Sequence, residues 1–375
     1  MNYTFPVINT IDDVLPHIEG RKEFIVAHRE GFDVINYVVA MKETFDMTGP
    51  NDLGGAIRRE CRGLIFYPDG RIMSRPFHKF FNFGEREETQ IENIDLSQAH
   101  TIVEKMDGSM IRPLIIGDEL HLGTKMGLTD IAREAQDWLR GRSSVAEEWI
   151  RDYVDRGYTP IFEWISPSNK IVVDYDGESK LVLLALRNTV TGVYGWPSIN
   201  VFETPKFYGS DIVDLGALID ARRSDQGREG FILQFADGHV GKAKTDWYIR
   251  IHKTKDAIQL DRNIIALILH EEIDDIMPML DKSDRNRVRD LESRFWRGFN
   301  DTFDHIEDVY QTCKDQDKKS VALNVVPTLR YKQYARLLFS MMDGKDLRTM
   351  MLAAALQHTS NTSKYDDLAN WMDIN

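Results

Sequence analysis

Hydrophobic and polar positions divide the chain into two parts with different periodicities. Up to about residue 255, short runs rich in β-branched and aromatic residues alternate with Asp-Gly or glycine turns, which is typical of strands in hairpins. Beyond that point apolar residues recur at steps of three and four, as along a long amphipathic helix, at Val288, Leu291, Phe295, Phe299, Phe303, Ile306 and Tyr310. The pattern predicts a β-rich part followed by a helical part.

Glycine and proline mark the same division. Of 25 glycines only Gly298 and Gly344 lie beyond residue 255, and of 12 prolines only Pro278 and Pro327 do. Because these residues interrupt helices, their scarcity there predicts long uninterrupted helices. We place a domain boundary between residues 254 and 255, with a first domain over 1–254 and an all-α C-terminal domain over 255–375.

Asp-Gly pairs flanked by β-rich runs predict hairpins in the first part. Asp69-Gly70 and Asp237-Gly238 are two such turns, and Asp107-Gly108 is a third. The third would hold Lys105, at the end of the run 101–103, at the mouth of a sheet whose next strand is 110–116. Helical patterns interrupt at about 129–156 and 211–223. Strands in hairpins with helices set apart indicate the α+β class with antiparallel sheets.

Composition is that of an ordinary globular protein, with 375 residues, 42% hydrophobic and 29% charged. No run approaches the eighteen apolar residues of a membrane span, and the first residues lack a signal pattern, so we expect a cytoplasmic protein. The cysteines, Cys61 and Cys313, indicate neither a disulfide framework nor a zinc site. The net charge of −13 argues against indiscriminate nucleic-acid binding but allows an enzyme with its cations concentrated in a groove.

Familiar phosphate-binding and metal motifs are missing from the sequence. No glycine loop ending in Gly-Lys-Ser/Thr occurs, no Gly-x-Gly-x-x-Gly follows a strand, and His270-Glu271 lacks the second histidine of a zinc pair. A nucleotide would have to be handled in another way.

Covalent catalysis by a lysine is one such way. An amine attacks phosphorus only as the neutral base, and the ordinary lysine pKa of about 10.4 keeps it protonated at pH 7. Neighbouring cations lower a lysine pKa and also neutralise phosphates. Lys242 and Lys244 lie two apart on a predicted strand, so both face one side, and Lys125 follows the β-like run 119–124. These lysines could assist an attack by Lys105.

Two carboxylates, Glu163 and Glu229, are embedded in apolar β runs. Isolated charges there are costly unless they are paired, and carboxylates can hold the divalent metals that bridge phosphate oxygens. The alternative for each lone lysine or glutamate at a strand end is a solvated edge charge.

Taken together, these residues resemble a known superfamily. Lys105-Met106-Asp107-Gly108, Phe162-Glu163, Glu229-Gly230-Phe231-Ile232 and Lys242-Ala243-Lys244 follow the order and spacing of the covalent nucleotidyltransferases, which comprise DNA ligases, RNA ligases and RNA capping enzymes. Within it the chain resembles the RNA ligase 1 family of bacteriophages. That closer likeness covers nearly the whole chain and depends on Glu60-Cys61-Arg62-Gly63, Ser74-Arg75-Pro76, Lys79-Phe80-Phe81-Asn82 and Lys244-Thr245-Asp246-Trp247-Tyr248.

The resemblance implies an antiparallel-sheet nucleotidyltransferase domain and a three-step reaction that uses ATP and Mg²⁺, for which Mn²⁺ can substitute. Lys105 would attack the α-phosphorus of ATP and form a lysyl-adenylate. The AMP would pass to the 5′-phosphate of an RNA end, and a 3′-hydroxyl would then displace it.

The resemblance also implies roles for individual residues. Lys242 and Lys244 would contact the α-phosphate, Glu163 the ribose or nucleotide, and Glu229 the metal. Arg62, Lys79 and Lys125 would contact phosphates or the nucleotide, while Tyr37 and Phe81 would pack by the adenosine. Met106 and Met126 depart from residue types usual in the family but remove no functional group. The run around Tyr37 is also compatible with a plain core strand.

The helical C-terminal part decides between relatives. DNA ligases and capping enzymes continue into an all-β barrel, whereas RNA ligase 1 carries a helical domain associated with tRNA preference. Asp274 falls near the position of an acidic residue linked to metal or activity in that family; a solvated acidic helix face is the alternative. A basic segment could meet RNA phosphates or be offset by nearby acids, and it comprises Arg285, Arg287, Arg289, Arg294 and Arg297.

We therefore expect a monomeric RNA ligase without membrane partners, acting on single-stranded RNA ends and in particular on a broken tRNA anticodon loop. Two alternatives stay open. One is a nucleotidyltransferase with another acceptor, such as DNA ends. The other is an RNA-binding protein that has lost catalysis.

Overall fold

A computed structural model describes residues 4–41, 43–49, 51–142, 144–197 and 201–374. The chain divides into two units, over residues 1–249 and 250–375. The division falls inside the helix Asp246–Ile258, ahead of the boundary that composition predicts between 254 and 255. A helix that runs through a boundary leaves no glycine or proline there, so composition cannot place the division more closely.

Strands are confined to the first unit among the residues that the structure describes. In chain order they are β1 (Phe24–Arg29), β2 (Phe32–Tyr37), β3 (Arg62–Phe66), β4 (Ile72–Ser74), β5 (Phe81–Asn82), β6 (His100–Lys105), β7 (Ser109–Ile116), β8 (Glu119–Gly123), β9 (Tyr158–Ile165), β10 (Lys180–Asn188), β11 (Tyr194–Gly195), β12 (Phe207–Gly209), β13 (Gly230–Phe235) and β14 (Val240–Lys244). They form three sheets, in the orders β1-β2-β3-β4, β11-β10-β9-β7-β8 and β12-β6-β13-β14-β5. Pairing is antiparallel except between β14 and β5, which confirms an α+β protein with antiparallel sheets.

Helices occur in both units. The α-helices are α1 (Leu15–Ile18), α2 (Leu53–Glu60), α3 (Asp130–Arg140), α4 (Ser144–Asp155), α5 (Leu215–Arg223), α6 (Asp246–Ile258), α7 (Asp261–Leu269), α8 (Ile273–Ile276), α9 (Lys282–Cys313), α10 (Lys318–Asn324), α11 (Lys332–Met342), α12 (Leu347–His358) and α13 (Thr362–Trp371). Short 3₁₀ helices span Ile11–Asp13, Glu87–Thr89, Ile91–Asn93, Pro167–Asn169, Met277–Met279 and Val326–Thr328. Of the helices described, none combines the length and apolar character that crossing a membrane requires.

The apolar stripe predicted for the C-terminal part lies along α9, which begins after the capping side chain of Asp281 and is 32 residues long. Its buried members form the core of the second unit with α7, α11 and α12, and they are Val288, Leu291, Phe295, Phe299 and Ile306. Each fully buried phenylalanine of this stripe contributes about 1.5–3 kcal/mol of transfer free energy. Phe303 and Tyr310 pack at the margin of the same core.

Two of the three predicted hairpins are confirmed. β3 and β4 pair antiparallel across Asp69-Gly70, and β13 and β14 pair across Asp237-Gly238. Gly70 and Gly238 have φ of 86° and 90°, a region that glycine enters without steric cost. At both turns the local chemistry therefore decides the structure.

The hairpin predicted around Asp107-Gly108 is wrong, because β6 and β7 belong to different sheets. β6 pairs with β12 and β13, whereas β7 pairs with β8 and β9. The Asp107 carboxylate is buried and accepts hydrogen bonds from the backbone N–H groups of Val172 and Val173, both at 2.8 Å. Tertiary hydrogen bonds thus draw the loop from one sheet across to the other.

A buried ion triad joins α2 to the strands around it. Glu60, the last residue of α2, lies 3.0 Å from Arg75 Nη2 and 2.7 Å from Arg187 Nη2. All three side chains are inaccessible to solvent. Arg75 follows β4 and Arg187 lies on β10, so the triad connects the first sheet to the second just before the strand that begins at Arg62.

Candidate functional site

Three neighbouring strand ends of the third sheet place Lys105, Glu229 and Lys244 together. Gly230 pairs with Lys105 on one side and with Lys244 on the other. Glu229 directly precedes Gly230, and its carboxylate lies 2.6 Å from Lys105 Nζ and 2.9 Å from Lys244 Nζ. The Glu229 side chain is only 4% exposed, so two ammonium groups compensate a charge that would otherwise be costly to bury.

Glycine at position 230 makes this arrangement possible. Its φ is +155°, and a Cβ there would come within 1.9 Å of the Ala243 carbonyl oxygen. No other residue could occupy the position without moving β14 away from β13. Gly230 therefore sets the distance at which Glu229 reaches Lys244.

Lys242 adds a further cation on the same strand as Lys244. Its Nζ lies 5.3 Å from the centroid of the Phe80 ring. The pKa of Lys242 is lowered to about 7, mainly by desolvation, and the nearby charges of Lys105, Lys79, Arg62 and Lys244 contribute to the same shift. A phosphate group would relieve this repulsion, because it supplies the negative charge that the cations lack.

Glu163 faces the same cavity from β9 of the second sheet. The cavity has a volume of about 250 Å³, and Arg62, Lys105, Glu163 and Glu229 line it. Desolvation raises the pKa of Glu163 to about 8, with Lys105 opposing the shift and Glu229 and Asp107 adding to it. A cation between Glu163 and Glu229 would favour the ionised form of both.

Gly108 brings the loop between Lys105 and Ser109 close to β9. A Cβ at Gly108 would lie 2.3 Å from the Trp164 carbonyl oxygen and 3.1 Å from Glu163 Cγ. The glycine is thus needed for close approach between the two sheets, and not for a positive φ as in the two confirmed hairpins.

A second group of predicted residues consists of two lysines and two aromatic residues in contact: Lys79, Lys125, Tyr37 and Phe81. Lys79 Nζ lies 5.5–5.6 Å from the ring centroids of Tyr37, Phe45 and Phe81, and Lys125 Nζ lies 4.7 Å from that of Tyr37. Desolvation lowers the pKa of Lys79, with Arg62 adding to the effect. The rings of Tyr37 and Phe81 therefore pack against cations here, and their packing by an adenosine stays a prediction.

Arg62 connects the two groups. It lines the Lys105 cavity, and its charge acts on both Lys242 and Lys79. The next residue, Gly63, has φ +98°, and a Cβ there would meet the Lys125 carbonyl oxygen at 2.4 Å. This close approach holds the turn that carries Lys125 against the start of β3.

Asp274 is not among the residues that the first unit gathers. It is exposed on α8 of the second unit, and its predicted role with a metal stays a prediction. Within the described part of the chain, no group of three or more histidine, cysteine or acidic side chains is arranged to hold a metal ion. Glu163 and Glu229 still fit one, because Mg²⁺ is usually held by one or two carboxylates together with water and substrate phosphates.

Sequence reasoning missed the residues that anchor the loop between Lys105 and Ser109. Tyr248 Oη donates to Asp107 Oδ1 at 2.8 Å, and the Asp107 backbone N–H donates to Tyr175 Oη at 2.8 Å. The Tyr248 ring also lies 4.6 Å from Lys244 Nζ. Asp107 and Tyr248 stand inside motifs that the sequence displays, but only the fold shows that they bond to each other.

Comparison with known proteins agrees with this geometry. Residues 60–257 match the model of a protein family described as RNA ligase. The chain is 27% identical over 331 residues to a protein named "Putative RNA ligase" from Thermovibrio ammonificans, with 84% of each chain covered. It is 28% identical over 271 residues to RNA ligase 1 of bacteriophage TS2126, covering 64% of this chain and 62% of that protein.

Among solved structures, an archaeal ATP-dependent RNA ligase aligns with a TM-score of 0.43 at 14% identity, covering 72% of this chain and 71% of that one.

Proposed function

Because the chain belongs to the RNA ligase family, whose model matches residues 60–257, we propose that it joins a 5′-phosphate and a 3′-hydroxyl RNA end at the expense of ATP, with Lys105 as the nucleophile. One observation supports this choice of site: Lys105 and Lys244 flank the Glu229 carboxylate on adjoining strands, and Lys105, Glu229 and Glu163 line one cavity. Lys242 lies on the same strand as Lys244, close enough to both Lys105 and Lys244 for their charges to lower its pKa.

In the first step the Lys105 amine attacks the α-phosphorus of ATP. A nitrogen–phosphorus bond forms, and the bond to the departing pyrophosphate breaks. The ion pair with Glu229 holds Lys105 Nζ at the cavity before reaction, 2.6 Å from the carboxylate. Lys242 and Lys244 face the same side and neutralise the charge that spreads over the transferring phosphoryl oxygens.

In the second step an oxygen of the RNA 5′-phosphate attacks the phosphorus of the lysyl-adenylate and Lys105 departs. In the third step a 3′-hydroxyl oxygen attacks the activated 5′-phosphate, and AMP leaves. The same cations serve all three steps, because each one passes negative charge through the same small cavity.

A divalent cation, Mg²⁺ or Mn²⁺, would be held by Glu229 and Glu163 together with phosphate oxygens. When bound it would neutralise phosphate charge beside Lys105. Arg62 and Lys79 lie close enough to Lys242 to depress its pKa, and we assign them to the outer phosphates of ATP.

The test is the intact mass of the protein before and after ATP with Mg²⁺, preceded by pyrophosphate treatment to remove any adenylate already present. We expect the wild type to gain one AMP on the peptide that contains Lys105. Lys105→Ala should gain none, while Lys22→Ala, which alters an exposed lysine, should behave as wild type. The absence of any gain in the wild type would contradict the proposal.

The acceptor is tested with strands that already carry a 5′-adenylate, which bypass the first step. We expect sealing of RNA and not of DNA, and Lys105→Ala should still seal the adenylated RNA. Equal sealing of DNA and RNA would show a wider acceptor range than we propose.

We further propose that the second unit recognises tRNA through exposed arginines of α9. Arg289 and Arg297 are exposed, whereas Arg294 pairs with Asp290 at 3.0 Å and donates to the Ile374 carbonyl at 2.7 Å. Replacing both Arg289 and Arg297 by alanine should weaken sealing of a nicked tRNA but leave a short RNA unaffected. Arg294→Ala, measured in the same way, is the control, because the Arg294 side chain is already engaged within the protein. Equal losses of sealing activity on the tRNA and on the short RNA in the double variant would argue against a tRNA-specific role.

A further inference from the structure

Strand β12 is one of the two edge strands described for the third sheet and lies beside β6, the strand that ends in Lys105. Phe207 pairs with Val103, and the Glu104 backbone N–H donates to the Lys206 carbonyl at 2.8 Å. Residues paired directly in antiparallel strands point to the same face, and the residue two positions along the partner is a diagonal neighbour about 7–8 Å away. Phe207 therefore shares a face with Lys105 and is its diagonal neighbour.

The Phe207 ring is solvent-exposed at the edge of the nucleophile cavity. Phe207 is 58% exposed. The cavity is lined by its strand partner Val103 and by Pro205, which lies two residues before Phe207. A single exposed apolar residue is ordinary on a protein surface. An exposed aromatic ring next to the reacting amine of an RNA-joining enzyme is also what stacking on an unpaired base requires.

A cluster of cations on the other side of the same edge strand is the second observation. Around the Tyr208 ring lie the Arg222 guanidinium at 4.5 Å, Lys206 Nζ at 5.7 Å and the Arg228 guanidinium at 5.9 Å. Arg228 also donates to Tyr208 Oη at 2.8 Å. Three positive groups thus surround the Tyr208 ring on β12, the strand next to β6.

The charge of this cluster is only partly balanced. Arg222 pairs with Asp225 at 3.3 Å, and Glu104 is close enough to help raise the pKa of Tyr208, mainly a burial effect. Neither Lys206 nor Arg228 has a carboxylate within ion-pair distance among the residues that the structure describes. In a chain of net charge −13, such a local excess of positive charge at the edge of the reactive sheet favours a polyanion.

We propose that this edge binds the 5′-phosphorylated end of the RNA, with the base of its first nucleotide stacked on Phe207 and the following phosphates held by Lys206 and Arg228. The proposal rests on the RNA ligase function proposed above and adds a site for the strand that receives AMP. Because β12 is one of the two edge strands described for its sheet, the RNA backbone can pass over its edge from the Phe207 face to the cations. The diagonal spacing keeps the stacked nucleotide beside the lysyl-adenylate.

The experiment separates the first step from the second. Self-adenylylation is measured with ATP and no RNA, and single-turnover transfer of AMP from the adenylylated protein is then measured against the concentration of a short 5′-phosphorylated RNA. Phe207→Ala should leave self-adenylylation unchanged and raise the half-saturating RNA concentration roughly 5- to 100-fold, the range expected for loss of one base–aromatic stack. Phe207→Trp should restore it.

Two control variants match these changes. Trp196→Ala removes another exposed aromatic residue, 52% exposed and beyond the end of β11 in the second sheet. Arg223→Ala removes a cation from the same helix as Arg222, where it lies 3.6 Å from Asp220. Both should transfer AMP as the wild type does. Lys206→Ala should weaken RNA binding and reduce the slope of log affinity against log salt by about 0.7, the value for one phosphate contact on a single strand.

A wild-type half-saturating concentration in Phe207→Ala would overturn the proposal, and so would an equal effect of Trp196→Ala. Parallel loss of self-adenylylation in Phe207→Ala would also overturn it, because the residue would then support the fold and not the RNA. Wild-type protein that takes up AMP but transfers none to RNA would remove the proposed ligase function itself. Normal wild-type transfer with an unaffected Phe207→Ala would remove only the RNA-end site.

Discussion

Glu60→Gln should destabilise the first unit strongly, although it replaces one atom in a site far from solvent. Glu60 Oε1 accepts from Arg187 Nη2 at 2.7 Å and lies 3.0 Å from Arg75 Nη2, and Oε2 accepts from Arg75 Nε at 3.2 Å. A glutamine turns one of these acceptors into a donor and leaves two arginines buried without a counter-charge. Breaking one partner of a buried ion pair costs about 3–5 kcal/mol.

The direction of the pKa shift of Glu60 supports the same expectation. Burial alone would raise this pKa, but the charges of Arg187 and Arg75 outweigh burial and hold it at about 2, against an ordinary value of 4.5. Such a difference between folded and unfolded states corresponds to roughly 3 kcal/mol of stability. Both arguments have the charged carboxylate stabilising the fold, so we expect Glu60→Gln to lose about 3–5 kcal/mol of unfolding free energy.

The assay is urea unfolding at pH 7, with hydrogen exchange as the readout. Peptides from β3, β4 and β10 are measured because they report on the first unit alone. Glu178→Gln is the matched control, since it makes the same change in an exposed pair with Lys180 at 2.6 Å. That control should change stability by no more than about 1 kcal/mol. A loss below about 1 kcal/mol for Glu60→Gln as well would refute the reasoning.

The effect should also depend on pH in a definite direction. Because the folded pKa of Glu60 lies below its ordinary value, its stabilisation is fully present above about pH 4.5 and is lost as the pH falls towards 2. The difference between wild type and Glu60→Gln should therefore be constant near neutrality and shrink below pH 4.5. A difference that grew in acid would contradict the assigned charge state.

Three further predictions concern the site. Gly108→Ala should reduce lysyl-adenylate formation at least about 100-fold, because its Cβ would lie 2.3 Å from the Trp164 carbonyl oxygen. Gly195→Ala is the control and should react normally, since its Cβ would lie 3.8 Å from Tyr158. The affinity for ATP should fall as the pH rises through about 7, because Lys242 loses its charge there. Calorimetry should show that Lys242→Gln binds ATP more weakly than the wild type and that its affinity lacks this dependence on pH. Tyr248→Phe removes the donor to Asp107 and should cost about 1.5–3 kcal/mol, seen as faster hydrogen exchange in residues 170–178; unchanged exchange would count against this anchor.

Several parts of this protein follow from local patterns. The stripe on α9 and the turns at Gly70 and Gly238 depend on helical periodicity and on a positive φ, and both properties are visible in a few consecutive residues. Lys242 and Lys244 share a face for the same local reason, since side chains alternate along a strand. Lys105 could be predicted as the nucleophile because its motif and three others resemble one superfamily in order and spacing.

The loop between Lys105 and Ser109 shows where local patterns fail. Asp107-Gly108 has the composition of a hairpin turn, yet the Asp107 carboxylate bonds to Val172 and Val173, more than sixty residues away in the chain. Those two backbone N–H groups and the Tyr248 hydroxyl are distant partners that no short-range pattern reveals. The loop therefore crosses between sheets, and Gly108 serves close packing instead of turn geometry.

The amino-acid sequence alone indicated which residues are candidates for chemistry and which segments favour strands or helices, because charge, side-chain size and periodicity are properties of neighbouring residues. Only the tertiary structure decided how those residues act together. Three arrangements arise from strands that pair across long stretches of chain. They are Glu229 between two lysines, Lys242 with its pKa at about 7, and Phe207 opposite Val103 on the strand that ends in Lys105. Burial and charge proximity shift pKa values and orient side chains, and both exist only once distant strands meet.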